Sequence, residues 1–407
     1  MIDKFNIQTV EDVVIENSRV LVRVDYNVTM NSQHKIANDM RIKQSIPTIK
    51  KLLMQNNRVI LITHLGDPKG HDETLSLVPI ITNLRSHLPG VIINLLDDFT
   101  SEKSKIFLEQ QAAGEIVMFE NLRFNKGEKE NDIEFAQSLS HVADYFVNDA
   151  FGVSHREHAS VVLLPTLLPS YAGLLMAHEI NTINHVVNHP KPPFVALVGG
   201  SKISTKIEFL RSLLDKVDTL LIGGGLANTF LAASENQVGL SLYEPAPDQV
   251  RSILAHAQEK NKKIIIPLDA VVIDENGAER VVSITEVGEY DSIVDIGPQT
   301  EATFGEYIAG AKTILWNGPV GKAEDARFAR GTDYVYYAIA QNKDVISLVG
   351  GGDTIAAISN LEYADKITHI STGGSAMMEF IEKGTLPGIT ALESAKRVPD
   401  AHNQDSI

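Results

Sequence analysis

Cysteine is missing from all 407 residues, which excludes disulfides and thiolate chemistry and leaves only oxygen or imidazole groups to hold a metal. No run approaches the roughly 18 apolar residues of a membrane span. The opening residues, MIDKFNIQTVEDV, lack the apolar stretch of a signal peptide, so the expectation is a cytoplasmic protein without a membrane partner. Basic excess is also lacking. A formal net charge of −16 argues against a nucleic-acid partner, and any anionic ligand must be met by local cations and backbone N–H groups. Two nucleotide fingerprints are absent as well: there is no G-x-x-x-x-G-K-[ST], and GGGLAN at Gly223–Asn228 does not complete G-x-G-x-x-G. Ordinary P-loop NTPase and nicotinamide dehydrogenase readings weaken accordingly.

What is present is an alternation. A hydrophobic content of 43% and a charged content of 22% are those of a globular chain. At roughly 100–200 residues per domain, the length suggests two domains as a starting point. Short β-branched runs begin at Arg19, Arg58, Val91, Glu115 and Asp144, each followed by an amphipathic stretch, which predicts βαβ units in a parallel sheet covered on both faces. The rhythm breaks at Ala172–Asn188, read as a helix ending before the prolines at 190, 192 and 193. A second series of strands follows from Phe194, Thr219, Lys262, Ser292, Thr313, Val345 and Thr368. Pieces around Val271 and Val281 form a hairpin beside that sheet.

Glycines crowd the carboxyl ends of the second series, at Gly199/Gly200, Gly223–Gly225, Gly318, Gly350–Gly352 and Gly373/Gly374. Such turns let backbone N–H groups approach phosphate oxygens at helix N-termini, although any single pair is equally an ordinary turn. Lys202 and Lys206 are one helical turn apart and are expected on one helix face, Lys202 in the first turn, where a cation is favoured only beside an anion. Asp353 suits either Mg²⁺ or a helix N-cap preceding Thr354. The first series supplies charge instead: Arg23, Asp25, Arg41, His64, Arg123, His155 and Arg156 fall mostly at strand carboxyl ends, and together they predict an anion-binding rim. His155 and His158 are too thin a set for a metal; an anion contact suits His155 and a structural role His158.

The blocks RVDYNV, DMRIKQSIPTI, THLGDPKG, ENLRF, NDAFGVSHREHAS, YAGLLM, VGGSKISTKI, LIGGGLANTFL, WNGPVG, GGGDT and STGGSA, taken in order, resemble the phosphoglycerate kinase family across essentially the whole chain. The resemblance implies an α/β protein of two Rossmann-like lobes, each a parallel sheet covered by helices, joined by an interdomain helix. Residues 1–172 would bind phosphoglycerate, 173–190 would form the joining helix, 191–390 would bind nucleotide, and 391–407 would return to the first lobe. It implies reversible phosphoryl transfer between 1,3-bisphosphoglycerate and ADP, giving 3-phosphoglycerate and ATP, with Mg²⁺, by a monomer that closes about a hinge and needs no general base.

Carried over by residue, Asp25, Asn27, Arg41, His64, Arg123 and Arg156 would hold 3-phosphoglycerate. Gly200, Lys202, Lys206, Gly223, Gly224, Gly225, Asn317, Pro319, Glu324, Gly350, Gly351, Gly352, Asp353 and Thr354 would hold the nucleotide, with Asp353 serving the metal. Arg41, Lys202, Gly373 and Gly374 would act on the transferring group. Departures from the family pattern are Asp67 where arginine is usual, Lys322 and Ala323 after WNGPVG, Ser375 after STGG, and Thr29 after RVDYNV. Asp67 sets a negative charge where the substrate phosphate should meet a positive one, with Lys69 placed to neutralise it or to contact the phosphate. A catalytically impaired, ligand-binding member would be marked by loss of Lys202, Arg41 or Asp353, and all three are present.

Overall fold

Why the first series folds as it does is visible in the way its side chains alternate. In the computed structural model, which describes residues 5–31, 33–358 and 362–395, β1 (Arg19–Arg23), β2 (Arg58–Ile62), β3 (Ile93–Leu96), β4 (Ile116–Phe119), β5 (Tyr145–Asn148) and β6 (Ser170–Ala172) form one sheet in the order β3-β4-β2-β1-β5-β6. Every pairing in it is parallel. Val20, Val22, Val59, Leu61, Ile116 and Met118 enter one core, while Leu21, Ile60, Ile62, Val117 and Phe119 enter another on the opposite face. Helices must therefore cover both faces, which is why these strands read as continuous apolar runs. The helix Met40–Met54 does so with Ile42, Ile46, Ile49 and Leu52 buried at helical spacing.

The second series contains β7 (Phe194–Val198), β8 (Thr219–Ile222), β9 (Lys263–Ile265), β10 (Asp269–Ile273), β11 (Glu279–Ser283), β12 (Ser292–Ile296), β13 (Thr313–Asn317), β14 (Ile346–Gly350) and β15 (His369–Ser371). Six of them make a parallel sheet in the order β15-β14-β13-β7-β8-β9. The strand at Ser292, expected in that main sheet, instead pairs antiparallel with β10 and completes a separate sheet β11-β10-β12. The expected hairpin at Val271 and Val281 is present as β10 and β11, and its buried face of Ala270, Val272, Val282 and Ile284 packs with Leu231, Val238 and Val287.

The chain divides into two units, one reaching Asn181 and taking up the chain again from Thr385, the other Thr182–Gly384. The helix expected from Ala172 begins at Leu174, because Ser170–Ala172 extends along β5 as β6. The division falls inside this helix rather than at its ends. Return to the first unit also starts earlier than the expected residue 391: the helix Pro387–Glu393 already belongs there, with the Gly388 N–H donating to Ser154 O at 2.8 Å. Residues 396–407 of the expected returning segment lie outside the described residues.

Candidate functional site

In each parallel sheet the connections run outward from two adjacent central strands, β1 and β5 in the first unit and β7 and β13 in the second. Loops leaving such a pair in opposite directions open a crevice at the carboxyl ends, the usual ligand position in open α/β sheets. The predicted residues gather at these two places.

In the first unit, Asp25 and Asn27 follow β1, His64 follows β2, Arg123 follows β4, and Arg156 lies beyond β5. Arg41, in the first turn of the helix Met40–Met54, reaches back so that NH1 lies 3.0 Å from Asp25 Oδ2, an ion contact without hydrogen-bond alignment, and donates to Asn27 O at 2.9 Å. The Gly66 N–H donates to Asn27 Oδ1 at 2.9 Å, and Arg123 NH1 donates to Gly66 O at 2.6 Å. These bonds tie the turns after β1, β2 and β4 into one rim. Arg156 is exposed, and its charge bears on Arg123 and His158.

Two first-unit readings change. Arg23, expected at the rim, is 1% exposed and turned inward, donating through Nε to Ser160 Oγ at 2.9 Å and through NH1 to Val24 O at 2.5 Å. As the last residue of a central strand it points into a face that helices cover. Asp67 is neutralised not by Lys69 but by Lys129, whose Nζ lies 2.7 Å from Oδ1, with Arg123 NH1 at 3.6 Å. The hydrogen bond from Lys129 holds the Asp67 carboxyl below the usual carboxylate range. Sequence reasoning missed Lys129, which sits sixty-two positions away in a charged stretch that carries no local signal. His158 stands 3.8 Å from Glu128 Oε1, and burial, helped by Arg123 and Arg23, pushes it down to about 4, consistent with the structural role expected for it.

In the second unit, backbone approaches backbone. Gly199 N–H donates to Asn317 O at 2.8 Å, Gly200 N–H to Pro319 O at 3.0 Å and Gly224 N–H to Val320 O at 2.9 Å. A Cβ on Gly199 would stand 2.1 Å from Pro319 O, so glycine is required by contact there. Gly223 is enclosed as well, since a Cβ would meet Val320 Cγ1 at 2.6 Å, and Gly225 less tightly, with Ser201 Cα at 3.2 Å. The turns after β14 and β15 touch likewise, since a Cβ on Gly374 would meet Gly351 Cα at 2.6 Å. Gly351 has φ +104° and leads into the short helix Gly352–Ala356, while Gly373 caps the helix Gly374–Lys383. Asn317 Nδ2 and Thr354 Oγ1 both donate to Gly350 O, at 3.1 and 2.6 Å, and Thr354 Oγ1 accepts from Gly318 N–H. Glu324 is exposed in the turn beyond β13.

The lysines do not share a helix face. The helix begins only at Ile207, and Lys202 and Lys206 belong to the turn before it. The competing interaction is Glu244, which accepts from both Ser204 N and Ser204 Oγ at 2.8 Å and holds this stretch as a turn. Lys206 Nζ folds back to Gly199 O at 2.5 Å, with Asn317 Oδ1 at 3.5 Å, whereas Lys202 is exposed. Asp353 is not an N-cap, since Gly352 already begins the helix; its side chain lies outside the described residues. Among the described residues, no three histidines, aspartates or glutamates gather to hold a metal, and no helix is long and apolar enough to cross a membrane.

Known proteins resemble this arrangement closely. The sequence profile of the family described as Phosphoglycerate kinase matches residues 10–384. A protein named phosphoglycerate kinase from Dictyoglomus turgidum is 42% identical over 394 residues, covering 96% of this chain and 99% of its own. One named cytosolic phosphoglycerate kinase from Triticum aestivum is 41% identical over 402 residues, covering 97% and 100%. Among solved structures, phosphoglycerate kinase from Pyrococcus horikoshii OT3 matches with a TM-score of 0.84 at 31% identity, and that from Coxiella burnetii with 0.80 at 38%, each covering 95% of this chain and 98% of the other.

Proposed function

Because the chain belongs to the phosphoglycerate kinase family, and so transfers a phosphoryl group between 1,3-bisphosphoglycerate and ADP to give 3-phosphoglycerate and ATP, we propose the following division of that work among its residues. Asp25, Asn27, Arg41, His64, Arg123 and Arg156 bind the phosphoglycerate at the rim of the first sheet. Gly200, Lys202, Lys206, Gly223–Gly225, Asn317, Pro319, Glu324 and the turn Gly350–Thr354 bind the nucleotide at the second. The observation that carries the nucleotide half is the crowding of Gly199, Gly318, Gly351 and Gly374, whose missing side chains let the turns close together at the carboxyl edge, where the N-terminus of the helix Gly374–Lys383 offers N–H groups to a phosphate chain.

The attacking oxygen, from ADP or from the substrate carboxylate, is already anionic at neutral pH, so no side chain has to remove a proton. Charge is what the transition state requires. Arg41 and Lys202, with the N–H groups of Gly374 and of Gly373, the latter exchanging the Ser371 Oγ it meets at 3.2 Å in the structure, act on the oxygens of the phosphoryl group in flight. The family resemblance assigns Asp353 to Mg²⁺ carried on nucleotide phosphates, and a carboxylate is the hard oxygen ligand that such an ion takes. There the ion would neutralise phosphate charge. Transfer requires the two substrates to meet away from water, which would otherwise hydrolyse the acyl phosphate, so closure about the helix Leu174–Asn188 accompanies binding of both. The protein works as a cytoplasmic monomer, a location supported by the wheat relative's name, and its charge of −16 disfavours nucleic acid.

A coupled assay with 3-phosphoglycerate, MgATP and a downstream dehydrogenase tests this mechanism. The expected kcat is flat from pH 7 to 9, above the ionisations of the nucleotide itself. A bell-shaped profile with an acid and a base limb in that range would show that a side chain moves a proton after all.

A further inference from the structure

The two ring nitrogens of His64 have different surroundings. The residue is 2% exposed, and Nδ1 lies 3.2 Å from Arg23 NH2. A guanidinium offers five N–H donors, has no acceptor and stays protonated in proteins. Nδ1 must therefore supply its lone pair, and the proton of the neutral ring sits on Nε2. Among the described residues, no protein group takes that Nε2 proton. Burial first, and then the guanidinium groups of Arg23, Arg123 and Arg41, oppose a second proton, with His158 adding to this only where it is itself protonated.

Arg23 is itself held in one pose. It ends β1, is 1% exposed and donates through Nε to Ser160 Oγ at 2.9 Å. That hydroxyl has one proton, and it goes to Glu128 Oε1 at 2.7 Å; the Ser160 N–H meets Glu128 Oε2 at 3.0 Å. The hydrogen bonds thus run in one direction, from Arg23 through Ser160 to a glutamate that is 1% exposed. A buried guanidinium needs such a counter-charge, and this one is reached through a serine that also fixes where the fork points.

We propose that Glu128, Ser160 and Arg23 are positioning residues that hold His64 as the neutral Nε2–H tautomer, so that this point of the rim meets an anionic substrate oxygen with a neutral donor and not an imidazolium. The proposal rests on the reading of His64 as a 3-phosphoglycerate contact. Its consequence is that His64 contributes the same hydrogen bond throughout the pH range in which free histidines titrate.

The test is ¹⁵N NMR of the histidine rings in the full-length wild-type protein, with His64 assigned from the signal missing in His64→Gln. Without ligand, the expected pattern is a proton on Nε2 and a bare Nδ1, unchanged from pH 5.5 to 8. A ring that titrates in this range, or carries its proton on Nδ1, overturns the relay. Adding 3-phosphoglycerate should then shift Nε2 and leave Nδ1 bare; an Nε2 signal indifferent to it would sink the substrate-contact reading even if the unliganded tautomer is as expected. Ser160→Ala should raise the KM for 3-phosphoglycerate about 3–10-fold, the scale of one misdirected hydrogen bond, and leave the KM for ATP as it was. It should also let part of the ring population carry its proton on Nδ1, and Ser160→Thr should restore both properties. A Ser160→Ala protein with the wild-type tautomer would show that the serine only packs.

Discussion

Replacing Asp67 by asparagine tests how the chain tolerates a carboxylate where its relatives' pattern has an arginine. The structure makes Asp67 a clamp on two cations, Lys129 at 2.7 Å and Arg123 at 3.6 Å. Removing its charge should free both for the substrate phosphate. The side chains of Asp67 and Lys129 are 64% and 46% exposed, which puts their pair in the regime of surface ion pairs, about 0.2–1 kcal/mol. At about 1.4 kcal/mol per factor of ten, the KM for 3-phosphoglycerate should fall by roughly 1.5- to 5-fold. Lys129→Gln, leaving Asp67 uncompensated, should raise it by a similar factor, and the double variant should return near wild type. Lys69→Ala should change little, because Lys69 makes no pair with Asp67. The assay is steady-state kinetics at low and high salt: a Debye length falling from about 10 Å at 0.1 M to about 3 Å at 1 M should erase the differences. The reasoning is refuted if Asp67→Asn leaves this KM unchanged or raises it at low salt.

Arg41→Ala and Lys202→Ala should each lower kcat by roughly 10²–10³-fold while nucleotide affinity falls far less, since both act on charge that develops in transfer; calorimetric ADP titration beside kinetics separates the two effects. Gly199→Ala forces a Cβ to within 2.1 Å of Pro319 O and should cost about 1–3 kcal/mol, seen as a melting temperature lowered by several degrees; an unchanged melt would mean the two turns separate freely. Asp149 is fully buried, and burial raises its carboxyl to about 6. Since the folded pKa lies above the unfolded one, the native state binds the extra proton, so the associated stability is complete below about 4 and is lost as pH rises through about 6. The stability of wild type relative to Asp149→Asn, measured by urea unfolding, should therefore fall by about 3 kcal/mol between pH 4 and pH 7, and a constant difference would contradict it.

Much of this protein was determined by local pattern alone. Val20, Val22, Ile60 and Leu61 mark buried parallel strands because alternate side chains of a doubly covered sheet must all be apolar, and glycines at strand ends mark turns because only they admit such close backbone contact. The carboxyl ends of those strands can be read from the same pattern, which is why Asp25, Arg41, His64 and Arg123 could be assigned to one rim before any contact was known. Pairings between distant segments were left to the tertiary structure. Apolar alternation looks alike in any sheet, so nothing local told Ser292–Ile296 to pair antiparallel with β10. Helical spacing put Lys202 and Lys206 on one face, but Glu244, forty residues beyond Ser204, captures the turn and delays the helix to Ile207. Arg23 and Arg41 are equally basic in sequence, yet one ends a covered strand and turns inward to Ser160 while the other opens a helix at the rim. Lys129 finds Asp67 because the folded sheet sets the turn after β2 beside the one after β4. Charge and periodicity are properties of a segment; which groups share a site depends on how the strands are ordered, and that is decided only when the sheet assembles.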